Sequence, residues 1–222
     1  MAVITNQITG ATLALCMLGQ GAQAHPHIFV DARFDVVFDA AGQPEALRIY
    51  WQYDPFFSML LVSDLGLDPT FSGTVTEAER PRLDGFDMNW LAGYHGDTHV
   101  TQDGRALGLS GPVEWTSDYV DGQLQSSHLR RIDDLPEPGV EWTVSIHDPS
   151  YYTSYTITSM PQIIGDARCE MRIFEPDWDA AGTQLDAALD ELLAAGGDME
   201  AEFPPVGALF SEEVRILCAP PS

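Results

Sequence analysis

Six histidines are spread over 222 residues, and two of them stand one residue apart in His25-Pro26-His27. Imidazole nitrogens are ligands for zinc, copper and nickel, so this spacing invites one ion. Cleavage before His25 would add an α-amine to the same place. A free terminus with histidine in third place usually closes a square-planar site through deprotonated amide nitrogens. Pro26 has no amide hydrogen, so the four-nitrogen version is blocked. What remains is the amine and ring of His25 and the ring of His27, which need partners from elsewhere in the fold. The plain alternative is a solvated, frayed terminus.

A second place for such chemistry is His147-Asp148-Pro149-Ser150-Tyr151-Tyr152. In the preceding strand-like stretch Val140, Trp142, Val144 and Ile146 share one side, and His147 falls on the other with Glu141, Thr143 and Ser145. His147 and Asp148 therefore sit at a turn, as two ligands or as a ligand with its supporting carboxylate. Otherwise this is an ordinary Asp-Pro turn beside a surface histidine. His95 and His99 are four apart. On a helix they would share a face, but Gly96 and the Thr98-His99-Val100 run favour extended chain, where they lie about 13 Å apart. Loop histidines are the simpler reading. His128 has no local companion and reads as a surface or core residue. The predicted metal set is thus His25, His27, His147 and Asp148, for a divalent zinc, nickel, cobalt or copper ion. The sequence contains no G-x-S-x-G, H-E-x-x-H, C-x-x-C or glycine-rich phosphate loop, so no catalytic residue is assigned.

These residues need a scaffold, and the hydrophobic pattern predicts a mainly β one. Residues 28 to 38 alternate, with Ile28, Val30, Ala32, Phe34, Val36 and Phe38 on one side. After a turn over 39 to 44, Leu47, Ile49, Trp51 and Tyr53 form a second face, which predicts a β-hairpin. Residues 56 to 66 are apolar on nearly every side and predict a short buried helix. Pro81 and several glycines leave 76 to 96 without a clear element. Gln102-Asp103-Gly104-Arg105 and Val120-Asp121-Gly122-Gln123 are hairpin turns. The stretches either side of Asp148-Pro149 predict another hairpin. Leu185, Ala188, Leu189, Leu192 and Leu193 make an amphipathic stripe that stops at Gly196-Gly197. The expected fold is α+β, mainly antiparallel β and sandwich-like, with a helical insertion and one C-terminal amphipathic helix.

The first 24 residues carry no charged side chain; residues 11 to 18 are apolar and Ala22-Gln23-Ala24 fits a signal-peptidase site. Residues 1 to 24 are therefore expected to be a cleaved signal peptide, leaving 25 to 222 as a single mainly β domain in the periplasm. The apolar run is too short to span a bilayer, so no membrane insertion is expected after cleavage. The formal charge is −24, and all ten basic residues are arginine. Such a surface repels nucleic acid and anionic lipid, and attracts cations only diffusely. Cys169 and Cys218 remain after cleavage, each on the apolar side of a short alternating segment. In an exported chain they are expected to pair.

Four segments, HPHIFVDARFDVVFD, IYWQYDPFFSMLL, HDPSYY and PPVGALFSEEVRILC, resemble in order the domain of unknown function 1007 family. That resemblance implies exported bacterial proteins loosely described as periplasmic components of ABC-type transport systems, associated with nickel/cobalt-type permeases or zinc-uptake genes. It highlights His25, Pro26, His27, Asp148, Pro149 and Tyr151. The expectation is a periplasmic transition-metal-binding accessory protein serving a nickel/cobalt or zinc permease in the inner membrane. Two alternatives stand beside it. One is a copper oxidase or oxygenase-like enzyme built on an N-terminal histidine. The other is a metal-free protein-binding module using Trp51, Tyr53, Phe56, Phe57, Tyr151 and Tyr152.

Overall fold

In the computed structural model, which describes residues 25 to 220 apart from Ala92 and Glu200, two β-sheets enclose one hydrophobic core. The expected signal peptide lies outside the described residues. The first sheet contains β1 (Ile28–Phe38), β2 (Pro44–Tyr53), β5 (Val113–Val120), β6 (Gln123–Arg131), β8 (Thr153–Ile157) and β9 (Ile163–Ile164). Its order is β5-β6-β2-β1-β8, with the short β9 also on β1. The second sheet contains β3 (Thr98–Gln102), β4 (Arg105–Leu107), β7 (Trp142–Ile146), β10 (Cys169–Phe174) and β11 (Glu213–Cys218), in the order β10-β11-β7-β3-β4.

The predicted first hairpin forms, with Val30 opposite Tyr53 and Phe34 opposite Ile49. Its inward residues Phe34, Leu47, Ile49 and Trp51 face Trp142, Val144, Ile146 and Ile216 of the other sheet in the core. Both Asp-Gly turns are present: Asp103, Gly104, Asp121 and Gly122 all take positive φ, as the tight hairpin requires. The stretches around Asp148-Pro149 do not pair with each other. β7 lies between β11 and β3, while β8 runs parallel to β1, so the 147–152 segment carries the chain from one sheet to the other.

Helix α1 (Pro55–Asp64) starts where Asp54 accepts the Phe56 and Phe57 amides at 2.9 Å and Pro55 occupies the first turn. It is not buried as expected. Only Ser58 and Val62 are fully buried, Phe57 and Leu61 pack partly against the core, and Phe56 is 64% exposed. A helix apolar all round must leave half its surface out when only one side meets a sheet. The later helix, α2 (Trp178–Ala194), buries only Leu185 of the expected stripe, together with Ala181 outside it, and leaves Leu193 exposed. Cys169 and Cys218 are directly opposite on β10 and β11 and form the expected disulfide. Among the described residues, no helix is long and apolar enough to cross a membrane.

His128, on β6, is fully buried between the edges of Trp51 and Trp90, and neither ring nitrogen has a hydrogen-bond partner among the described residues. Burial, helped by Arg130 and Arg48, pushes its pKa down to about 3. The unfolded chain takes up this proton as pH falls below about 6.5, while the folded one resists until about 3, so stability falls on acidification across that window. A His128→Phe variant is accordingly expected to gain about 2 kcal/mol on the wild type between pH 7 and pH 4.5, read from urea midpoints. Parallel pH profiles for the two proteins would refute this placement of His128.

Candidate metal site and its supports

Strand β1 and the 147–152 crossover bring the predicted residues to one end of the sandwich. His25 is buried and His27 exposed, immediately before β1. Their ring centres are 5.0 Å apart with planes crossed at 81°. An ion about 2.1 Å from one nitrogen of each ring, with near-tetrahedral angles, holds ring centres about 5 Å apart, so the spacing suits one shared ion. Phe203 packs on His25 at 4.0 Å, and Tyr152 covers both rings at 5.5 and 4.7 Å. Aromatic walls of this kind exclude water and restrict the ring orientations.

The pair is placed by the crossover. His27 N–H donates to the Tyr152 carbonyl at 2.8 Å. Tyr152 is in turn fixed by Asp148, whose carboxylate accepts the Ser150 amide at 2.9 Å and the Thr153 amide at 3.1 Å, while its carbonyl accepts Tyr151 N–H at 2.9 Å. Asp148 thus acts within its own turn, as the support for the His25–His27 segment. Tyr151 sits at φ 56°, in the left-handed region that a bulky side chain avoids, and is held there by stacking on Phe210 at 4.4 Å. Phe210 belongs to the 3-10 turn Gly207–Phe210. Gly207 sends its N–H to the Pro149 carbonyl at 3.2 Å and lies directly against Asp148. Three of the four segments singled out in the sequence therefore meet here.

His147 is placed otherwise. Its ring stacks on His99 of β3 at 3.9 Å with planes 16° apart. The backbone N–H of His147 donates to the Asp97 carbonyl at 2.8 Å, and His99 Nε2–H donates to the His147 carbonyl at 3.1 Å. A ligating nitrogen aims its lone pair in the ring plane, so two nearly parallel rings do not converge on one ion. Burial lowers both: His147 is pushed down to about 4, and His99 moves the same way, which keeps both imidazoles neutral near pH 7. Asp97 lies beneath, buried, and its carboxylate accepts the Tyr94 and Tyr155 hydroxyls, each at 2.8 Å. Desolvation raises its pKa to about 6 against those two bonds. His95 is exposed in the loop before β3 and His99 is on the strand, so the two do not form a helical pair. Among the described residues, no group of three or more His, Cys, Asp or Glu side chains is arranged to hold a metal ion. The partnership of His99 with His147 joins positions 48 apart and carries no local signal. Phe203 and Gly207 likewise reach the site only through the fold.

The molecule is thus a two-sheet β-sandwich with a histidine pair at the head of its first strand, braced by a sheet-crossing turn. The chain belongs to the family described as Protein of unknown function (DUF1007), whose model matches residues 10–218. No curated protein matches it. Among solved structures, AChBP from Bulinus truncatus is similar at 10% identity over 86% of this chain and 85% of that one, with a TM-score of 0.31. A likeness at that score carries no argument here.

Proposed function

We propose that this protein is an exported transition-metal-binding accessory protein that holds one divalent ion as cargo for an inner-membrane permease. The observation that carries the reading is the 5.0 Å separation of the His25 and His27 rings under Tyr152 and Phe203. The third donor would be the α-amine released at His25 by cleavage after Ala24, and a solvent or partner-supplied ligand would complete the set. Asp148 supports the site by fixing Tyr152, whose carbonyl holds His27. The acidic surface, at a formal −24, raises the local cation concentration without choosing the ion. The disulfide and the absence of a membrane-spanning helix among the described residues are consistent with an exported chain.

The test is competitive titration of zinc, nickel, cobalt and copper into protein that begins at His25 and into protein that retains Ala24. One equivalent of a single ion should bind tightly and independently of salt. The form retaining Ala24 should bind it at least about tenfold more weakly, since each lost ligand costs more than about 1.4 kcal/mol. Only weak binding that disappears at high salt would overturn the proposal, because that is what a diffuse acidic surface provides.

A further inference from the structure

At the outer end of β3 and β4 lies a cleft of about 570 Å³ that owes nothing to the His25–His27 pair. Arg130 of β6 forms its inner end, only 3% exposed. In a chain with 34 acidic residues against ten arginines, a buried guanidinium would be expected to have a carboxylate partner. Among the described residues it has none within ion-pair distance. Its bonds go instead to carbonyls: Nε to Ser110 at 2.8 Å, and Nη1 to His95 at 2.6 Å and Thr98 at 3.3 Å. Nη2 reaches only the Leu109 carbonyl, at the long distance of 3.5 Å. The carbonyls fix the guanidinium, and the carboxylates of Asp133 and Asp97 act on it only from beyond ion-pair distance.

The other walls are selective. Thr98, itself buried, lines the cleft, and among the described residues its hydroxyl has no hydrogen-bond partner. His95 and His99 add imidazoles, Leu107 and Leu109 supply an apolar side, and Asp134 also lines the cleft, its carboxylate accepting the Gly108 amide at 3.1 Å. An oriented guanidinium, an unpaired hydroxyl and an aliphatic wall are complementary to a small organic acid. A bare inorganic anion would leave the aliphatic wall and most of the volume unused. The net negative charge of the molecule opposes any anion at long range, but at physiological salt that field is screened within about 8 Å, so at contact the charges that count are Arg130 and Asp134.

We propose that this cleft binds a small organic carboxylate, its charged end on Arg130 and its aliphatic body against Leu107 and Leu109. The test follows backbone amide shifts and binding heats as hexanoate, butyrate and inorganic phosphate are titrated into the full mature protein. Hexanoate should saturate with a Kd below about 1 mM, shifting amides from Thr98 to Leu109, and phosphate should bind at least about tenfold more weakly. Leu109→Trp fills the cleft while keeping the Arg130 side chain, and should weaken hexanoate at least about tenfold in protein whose circular dichroism shows an intact fold. Arg130→Lys, which keeps the charge but not the planar fork, should do the same; should that variant fail to fold, Leu109→Trp decides. No saturable shift in the cleft up to about 20 mM hexanoate, phosphate binding as well as hexanoate, or undiminished binding by Leu109→Trp would each overturn the proposal.

Discussion

Replacing Gly207 by alanine is expected to destabilise the protein by about 3 kcal/mol and to weaken metal binding at the same time. A Cβ at that position would overlap the Asp148 carbonyl oxygen and come within 2.9 Å of its carbon. Both are backbone atoms of the turn that fixes Tyr152, and no side-chain rotation relieves the clash. The 3-10 turn must then move away, taking Phe210 off Tyr151, which is held at φ 56°. Gly197→Ala is the control. Its nearest neighbour is the flexible end of Leu192, so a loss below about 1 kcal/mol is expected. Urea unfolding of both variants, with metal affinity measured alongside, decides the matter. Equal stabilities would mean that Gly207 does not press on the crossover.

The second large effect concerns the disulfide. Cys169 and Cys218 are 49 residues apart, and the chain between them includes α2 and the 3-10 turn beneath the site. Closing a loop of this length stabilises a folded chain by roughly 4 kcal/mol on the chain-entropy account. The Cys169→Ser/Cys218→Ser double variant is expected to lose that amount, with Tm falling by roughly 10 °C for a chain of this size. Reduction of the wild type should reproduce the loss, and added reductant should leave the double variant unchanged. A Tm within about 2 °C of wild type would show that strand pairing alone holds β10 to β11.

Legibility in the sequence followed the range of the signal. The 28–38 alternation, the Asp103-Gly104 and Asp121-Gly122 turns and the Cys169/Cys218 pair were readable, because each is a local pattern or a compositional one. The exchange of sheets after Ile146 was not. Asp148-Pro149 is turn chemistry in a hairpin and in a crossover alike, and only the pairing of β8 with β1 separates them. α1 read as buried because an all-apolar helix states no direction; how much of it is covered depends on partners elsewhere. At the candidate site, the closeness of His25 to His27 was readable from type and spacing, whereas the bonds of Asp148 all lie within its own turn. The partnership of His147 with His99 was not, since it comes from strand register. Nor was the burial of Asp97 and His128, whose surroundings come from distant strands and loops.

The central claim is that His25 and His27 together hold the ion. The most direct measurement is the affinity of mature protein carrying both His25→Ala and His27→Ala, set against the wild type by chelator competition. Circular dichroism and Tm serve to show an intact fold. The account predicts a loss of at least about 100-fold in Kd, from two imidazole ligands removed together. An unchanged Kd and stoichiometry in the folded double variant would contradict it, and would place the ion elsewhere on the protein.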